Sequence, residues 1–156
     1  MIKIWRDDDI NRFTDIQVFL QIHDLFIKHK KVHTCVVEMK DLWESRGLWH
    51  LLMTLPNLDI ALHCWEHIDY SVLSYEQAKA DIKKCLDYYK SKINGYKYKE
   101  IKLFCPPWNK STMLLSKACY ELGLGVNDNS DGRTYNFHWW SCMDKSGLDN
   151  LEQVLK

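Results

Sequence analysis

The sequence has little of what breaks, staples or strongly charges a chain. Six Gly and three Pro in 156 residues exclude collagen-like and Pro/Gly-rich disordered classes. Net charge is absent, because 21 Lys+Arg balance 21 Asp+Glu; without a basic footprint, nucleic-acid binding is set aside. No apolar run approaches the roughly 20 residues of a membrane span, since the longest, Leu48 to Leu55, is interrupted by His50 and Thr54. The opening Met1-Ile2-Lys3-Ile4-Trp5-Arg6-Asp7 carries charge by its third residue and does not read as a signal peptide. Cys35, Cys64, Cys85, Cys105, Cys119 and Cys142 form no CxxC pair, so reduced, packed thiols are expected rather than a disulfide framework. These features point to a cytoplasmic protein.

What is present is a large apolar share, 46%, and 13% aromatics including seven Trp. A chain of this length supports one domain, residues 1–156, around one core. Element types alternate along it. Lys3–Arg6 reads as a strand, and Asn11–Lys30 as a helix with Phe13, Ile16, Phe19, Leu20, Ile22 and Phe26 on one stripe. A strand over Lys31–Glu38, a helix over Lys40–Met53 and a strand over Leu58–Leu62 follow. Ser74 and Gln77 fit a capping box opening a helix to about Ile93, closed by Asn94-Gly95. Glu100–Cys105 is a strand stopped by Pro106-Pro107, Ser111–Leu122 a helix, Leu124–Asn127 and Thr134–Trp139 strands, and Leu148–Leu155 a last helix. Such alternation predicts an α/β fold with parallel strands and crossover helices, a barrel or an open sheet.

In these folds the loops at the carboxyl ends of the strands build the site. Asp7, Asp8 and Asp9 stand there after the first strand, and His63 and His67 after the third. Cys105, Pro106, Pro107, Trp108 and Asn109 follow the fourth, and His138 closes the last. Adjacent carboxylates repel unless a cation compensates, and successive strand residues point to opposite sides, so only some of the three can face one centre. His63 and His67 are spaced i, i+4, which on a helix places both imidazoles on one face. Two His plus one carboxylate make an open three-ligand site suited to catalytic zinc. The H-E-x-x-H metalloprotease motif is absent, and Cys64 reads as a packed thiol. His23, His29, His33 and His50 read as ordinary core or surface residues.

These residues resemble the polysaccharide deacetylases, the NodB-homology carbohydrate esterases of family 4. The family's T-F-D-D-G aligns with Trp5-Arg6-Asp7-Asp8-Asp9, its H-S/T-x-x-H with His63 to His67, its R-P-P-Y with Cys105-Pro106-Pro107-Trp108, and its late Leu-His motif with Phe137-His138. All four occur in order over almost the whole chain, as in a divergent short member. The resemblance implies a distorted or incomplete (β/α) barrel of the NodB type. It implies a divalent metal ion, zinc foremost, on Asp8, His63 and His67, with Asp7 as general base and His138 as general acid. The Trp108 amide would hold the oxyanion, and Pro107, Trp108, Trp139 and Trp140 would contact substrate. Cys105 replaces the family's Arg, which orients the base; Arg6, projecting opposite to Asp7 along a strand, is not expected to substitute for it. Asp9 replaces the family's Gly, and Asn127-Asp128-Asn129 is the nearest counterpart of its Asp-plus-Trp motif.

The implied activity is metal-dependent removal of N-acetyl or O-acetyl groups from a sugar polymer or glycoconjugate, so the expected partner is an N-acetylated carbohydrate. Two alternatives stay open on the sequence. One is a catalytically impaired glycan-recognition module that keeps its metal; the other is a hydrolase of another non-peptide C–N bond.

Overall fold

The structure is a computed structural model that describes residues 4–156; Lys3, the first residue of the expected first strand, lies outside them. The elements run β1 Ile4–Ile10, α1 Ile16–Lys28, β2 His33–Glu38, α2 Arg46–Thr54, β3 Leu58–Cys64, α3 Tyr75–Lys92, β4 Leu103–Phe104, α4 Met113–Glu121, β5 Gly125–Val126, β6 Thr134–His138 and α5 Lys145–Leu155. The six strands pair in parallel in the order β5-β4-β3-β2-β1-β6. They form a curled, incomplete barrel with helices packed outside it.

Local chemistry explains most boundaries. Ser74 accepts from the Gln77 amide at 3.1 Å while the Gln77 side chain accepts from the Ser74 amide at 2.9 Å, the reciprocal cap that the sequence announces. α1 starts five residues later than expected, because Asp15 caps it through the amides of Gln17 and Val18. The single helix expected over 40–53 is instead a 3₁₀ turn at Leu42–Glu44 and then α2, with Ser45 between them. The later strands are shorter than their apolar runs suggest, β4 and β5 being two residues each.

Alternation along the strands sorts the two faces. Cys35, Val37, Ile60 and Leu62 face the helices in the main core, with Phe19, Trp49, Ile82, Tyr89 and Leu115. Trp5 and Phe137 meet Ile22 and Phe26 of α1 and Leu151 and Leu155 of α5 in a second cluster. Each fully buried large side chain stabilises by about 1.5–3 kcal/mol. The concave face carries a third, small cluster of Val36, Ala61 and Cys105. Side chains tie the segment that follows β5 to the opposite edge strand β6, Asn127 donating to Thr134 Oγ1 at 3.0 Å and Asn129 to Asn136 Oδ1 at 3.3 Å. No helix is long and apolar enough to cross a membrane among the described residues.

Candidate metal centre

The three consecutive aspartates have three different fates. Asp7 pairs in register with Cys35 and shares the helix-facing side of the sheet. It is fully buried there, with Oδ2 3.2 Å from His33 Nε2. His33 Nδ1 in turn lies 3.3 Å from His23 Nδ1. Burial, reinforced by Asp8, pushes the Asp7 carboxyl well above the usual range. Burial likewise lowers His33 to about 3 and, aided by His33, His23 to about 4. These two histidines, which read as ordinary residues, therefore form a neutral, buried chain with Asp7.

Asp8 points the other way, into the concave face, as does Arg6 two residues earlier. The fully buried Arg6 grips it through two parallel bonds, Nε to Oδ1 at 3.1 Å and Nη2 to Oδ2 at 2.7 Å. The guanidinium also donates to Asn109 Oδ1 and to the Asn127 carbonyl, both at 3.0 Å. Such forked pairs are the strong, orienting kind. Asp8, expected among the metal ligands, is thus held as an oriented carboxylate.

Asp9 is the residue that meets the histidines. Between Asp7 and Ile10 three steps of β1 oppose two of β2, and Asp9 takes a left-handed φ of +62°. An extra residue of this kind re-aims a side chain. β3 shows the same device, since two steps from Leu62 to Cys64 oppose one from Val37 to Glu38, and the extra residue is His63. His67 follows in the irregular segment after β3, so loop geometry rather than a helical turn brings the imidazoles together, their rings 5.0 Å apart. One ligand atom each from Asp9, His63 and His67 lie within 4.8 Å of one another.

The donor set fits a divalent cation. His63 Nδ1 lies 2.5 Å from the Cys105 carbonyl oxygen; a carbonyl only accepts, so Nδ1 carries the hydrogen and a neutral ring presents a bare Nε2. That nitrogen is 3.1 Å from Asp9 Oδ1, and His67 Nε2 is 3.3 Å from the same oxygen. Oδ1 is buried yet accepts no aligned hydrogen bond. Acceptors turned toward one another call for a cation among them. Where the imidazoles carry protons, burial pushes Asp9 up but hydrogen bonding and charge from His63, with His138 and His67, hold it below the usual carboxylate range. Burial and the neighbouring His63 lower the pKa of His67, which favours the unprotonated ring a metal needs.

His138 approaches from β6, its Nε2 3.4 Å from Asp9 Oδ2. Its ring stacks on Trp140 at 4.6 Å, while Trp108 meets His67 edge-on at 4.4 Å. Trp108 and Trp140 are more than half exposed and flank the centre from two sides. Trp108 and Asn109 both have positive φ, 54° and 56°, sparsely populated values for non-Gly residues that recur at functional sites. Pro107, expected to contact substrate, is buried beneath them. Trp139 is half-buried, its indole N–H donating to the Asp9 carbonyl at 3.1 Å. Trp5 and Trp65 pack into the body of the fold. Burial pushes the Cys105 thiol up to about 12, leaving it neutral, and Cys64 is buried likewise.

No family profile and no curated protein matches the sequence, but solved structures share its fold. It is similar to the peptidoglycan deacetylase PdaC from Bacillus subtilis, at 17% identity and a TM-score of 0.68, over 99% of this chain and 81% of that one. A family 4 carbohydrate esterase from Streptomyces lividans, solved in complex with acetate, matches at 12% identity and TM-score 0.69, over 99% and 85%. A family 4 pseudoenzyme from Bacillus anthracis matches at 13% identity and TM-score 0.74, over 99% of this chain and 60% of that one. The fold is therefore that of the family 4 carbohydrate esterases, as the ordered motifs suggested.

Proposed function

We propose that the protein is a metal-dependent deacetylase acting on an N- or O-acetylated carbohydrate, with its motif roles displaced by one residue along β1. Asp9, His63 and His67 hold the divalent ion, zinc being the best match to a ligand set of two imidazoles and one carboxylate. Bound there, the metal supplies Lewis-acid polarisation of the acetyl carbonyl and a lowered pKa for water. Asp8 is the general base, aimed by the Arg6 fork. Arg6 thereby does from β1 what the family's motif Arg would do from the position of Cys105. His138 donates the proton to the leaving nitrogen or oxygen, and general acid–base help of this kind is worth roughly 10²–10⁴-fold. Trp108 and Trp140 offer indole faces on which the apolar side of a sugar would stack, and the Trp108 amide is the candidate donor to the oxyanion.

The observation that carries this reading is the coexistence of two carboxylates with separate partners, Asp8 on Arg6 and Asp9 among three imidazoles. One environment orients a base and the other gathers ligands. The test is acetate release from N-acetylglucosamine oligomers by the zinc-loaded protein. Release that is abolished by Asp8→Asn supports the assignment. A zinc-loaded protein inert on a broad panel of N- and O-acetylated sugars sinks it. Glycan binding without release would favour the recognition module; a family 4 pseudoenzyme is among the solved structures with this fold.

A further inference from the structure

We propose that Trp139 is a positioning residue for the metal centre, its indole N–H holding the Asp9 backbone in the left-handed conformation that aims the carboxylate at His63 and His67. This rests on the metal-site reading above. Left-handed backbone is uncommon for a residue other than Gly, and it persists when surrounding structure over-determines it. The β1–β2 ladder does not do so, because its register skips from Asp7 to Ile10 and gives Asp9 no paired residue in β2. The hydrogen bond from Trp139 Nε1 to Asp9 O, 3.1 Å long, supplies the missing restraint.

The donor is itself fixed. The Trp139 ring packs against both the main core and the α1–α5 cluster, so its N–H is presented by a body that cannot easily turn. Its chain neighbour His138 stands 3.4 Å from the Asp9 carboxylate. Residues 138 and 139 therefore grip Asp9 at both ends, one at the side chain and the other at the main-chain oxygen. Partners that orient metal ligands from behind typically contribute 10–100-fold to metal affinity.

Zinc affinity of the full chain, measured by competition with a chromophoric chelator, tests this in the wild type, Trp139→Phe and Trp139→Gln. Phe keeps the ring and loses the donor. Gln keeps an N–H at the same bond distance from Cβ and loses the packing. The expected result is a crossing: Phe is the more heat-stable variant but binds zinc roughly 10–100-fold more weakly than wild type, while Gln melts earlier and binds more tightly than Phe. Affinity that simply follows melting temperature, or a Phe variant that binds like wild type, overturns the proposal. If the wild type binds no zinc, the metal-site reading itself falls, an outcome distinct from an unaffected Phe variant. A wild-type measurement is independent of how the variants fold: the Trp139 indole N–H resonance is expected to move on zinc addition, and a stationary one overturns the inference.

Discussion

Arg6 and Asp8, two residues apart on the concave face of β1, are joined by a buried two-bond fork of 2.7 and 3.1 Å. In the proposed reading that pairing separates the roles of the aspartate triplet, because a carboxylate clasped on both oxygens by a guanidinium is oriented but is not free to gather imidazoles.

Asp8→Asn and Asp7→Asn are expected to behave differently, although the residues adjoin. With zinc retained, Asp8→Asn lowers kcat roughly 10²–10⁴-fold. Asp7→Asn, altered on the helix-facing side beside His33, keeps activity within about tenfold of wild type. Steady-state acetate release decides; a dead Asp7→Asn that still carries metal would return the base to Asp7.

Asp9→Ala and His63→Ala each remove one donor of the proposed three-ligand centre. Elemental analysis after gel filtration should show both variants without zinc, whereas Asp8→Asn and His138→Ala retain it. Loss of zinc from Asp8→Asn but not Asp9→Ala would reverse the assignment.

Arg6→Met leaves the Asp8 carboxylate buried and unpaired. Breaking a buried pair costs about 3–5 kcal/mol, a fall on the order of 10 °C in Tm. Arg6→Lys should recover only part of it, since an ammonium cannot reproduce the two-point fork. Calorimetry of the metal-free proteins is the measurement, and an Arg6→Met variant as stable as wild type would refute it.

Acid sensitivity should come from His23 and His33, whose folded pKa values of about 4 and about 3 lie below the ordinary 6.5. Unfolding lets them take up protons, so their contribution is complete above pH 6.5 and is lost as pH falls toward 4. Asp7 acts in the opposite sense. Its pKa is raised, so its contribution is present at low pH and is lost as pH rises through the folded value. Asp7→Asn should therefore lose stability more steeply than wild type between pH 6.5 and 4, read as Tm against pH. Parallel curves would show that the chain Asp7–His33–His23 does not titrate as its burial implies.

The strand–helix alternation was legible because it rests on local periodicity, and Ser74-x-x-Gln77 and Asn94-Gly95 mark a helix whose ends need no distant partner. The rim was legible too, since parallel strands place their carboxyl ends together wherever each strand stops. Asp7, Asp8, Asp9, His63, His67 and His138 could thus be gathered in one region. His33 gave no such signal: it stands at the start of β2, and only packing brings it beneath Asp7.

What the sequence alone determined was the order of elements and the group of residues that chemistry could draw on. Which carboxylate faces which partner was decided between strands. One extra residue in β1 against β2, and one in β3 against β2, turn Asp9 and His63 out of strict alternation, while Arg6 and Asp8 keep it. A bulge is a mismatch of register between two segments, so neither segment encodes it alone; it exists only once the sheet has formed.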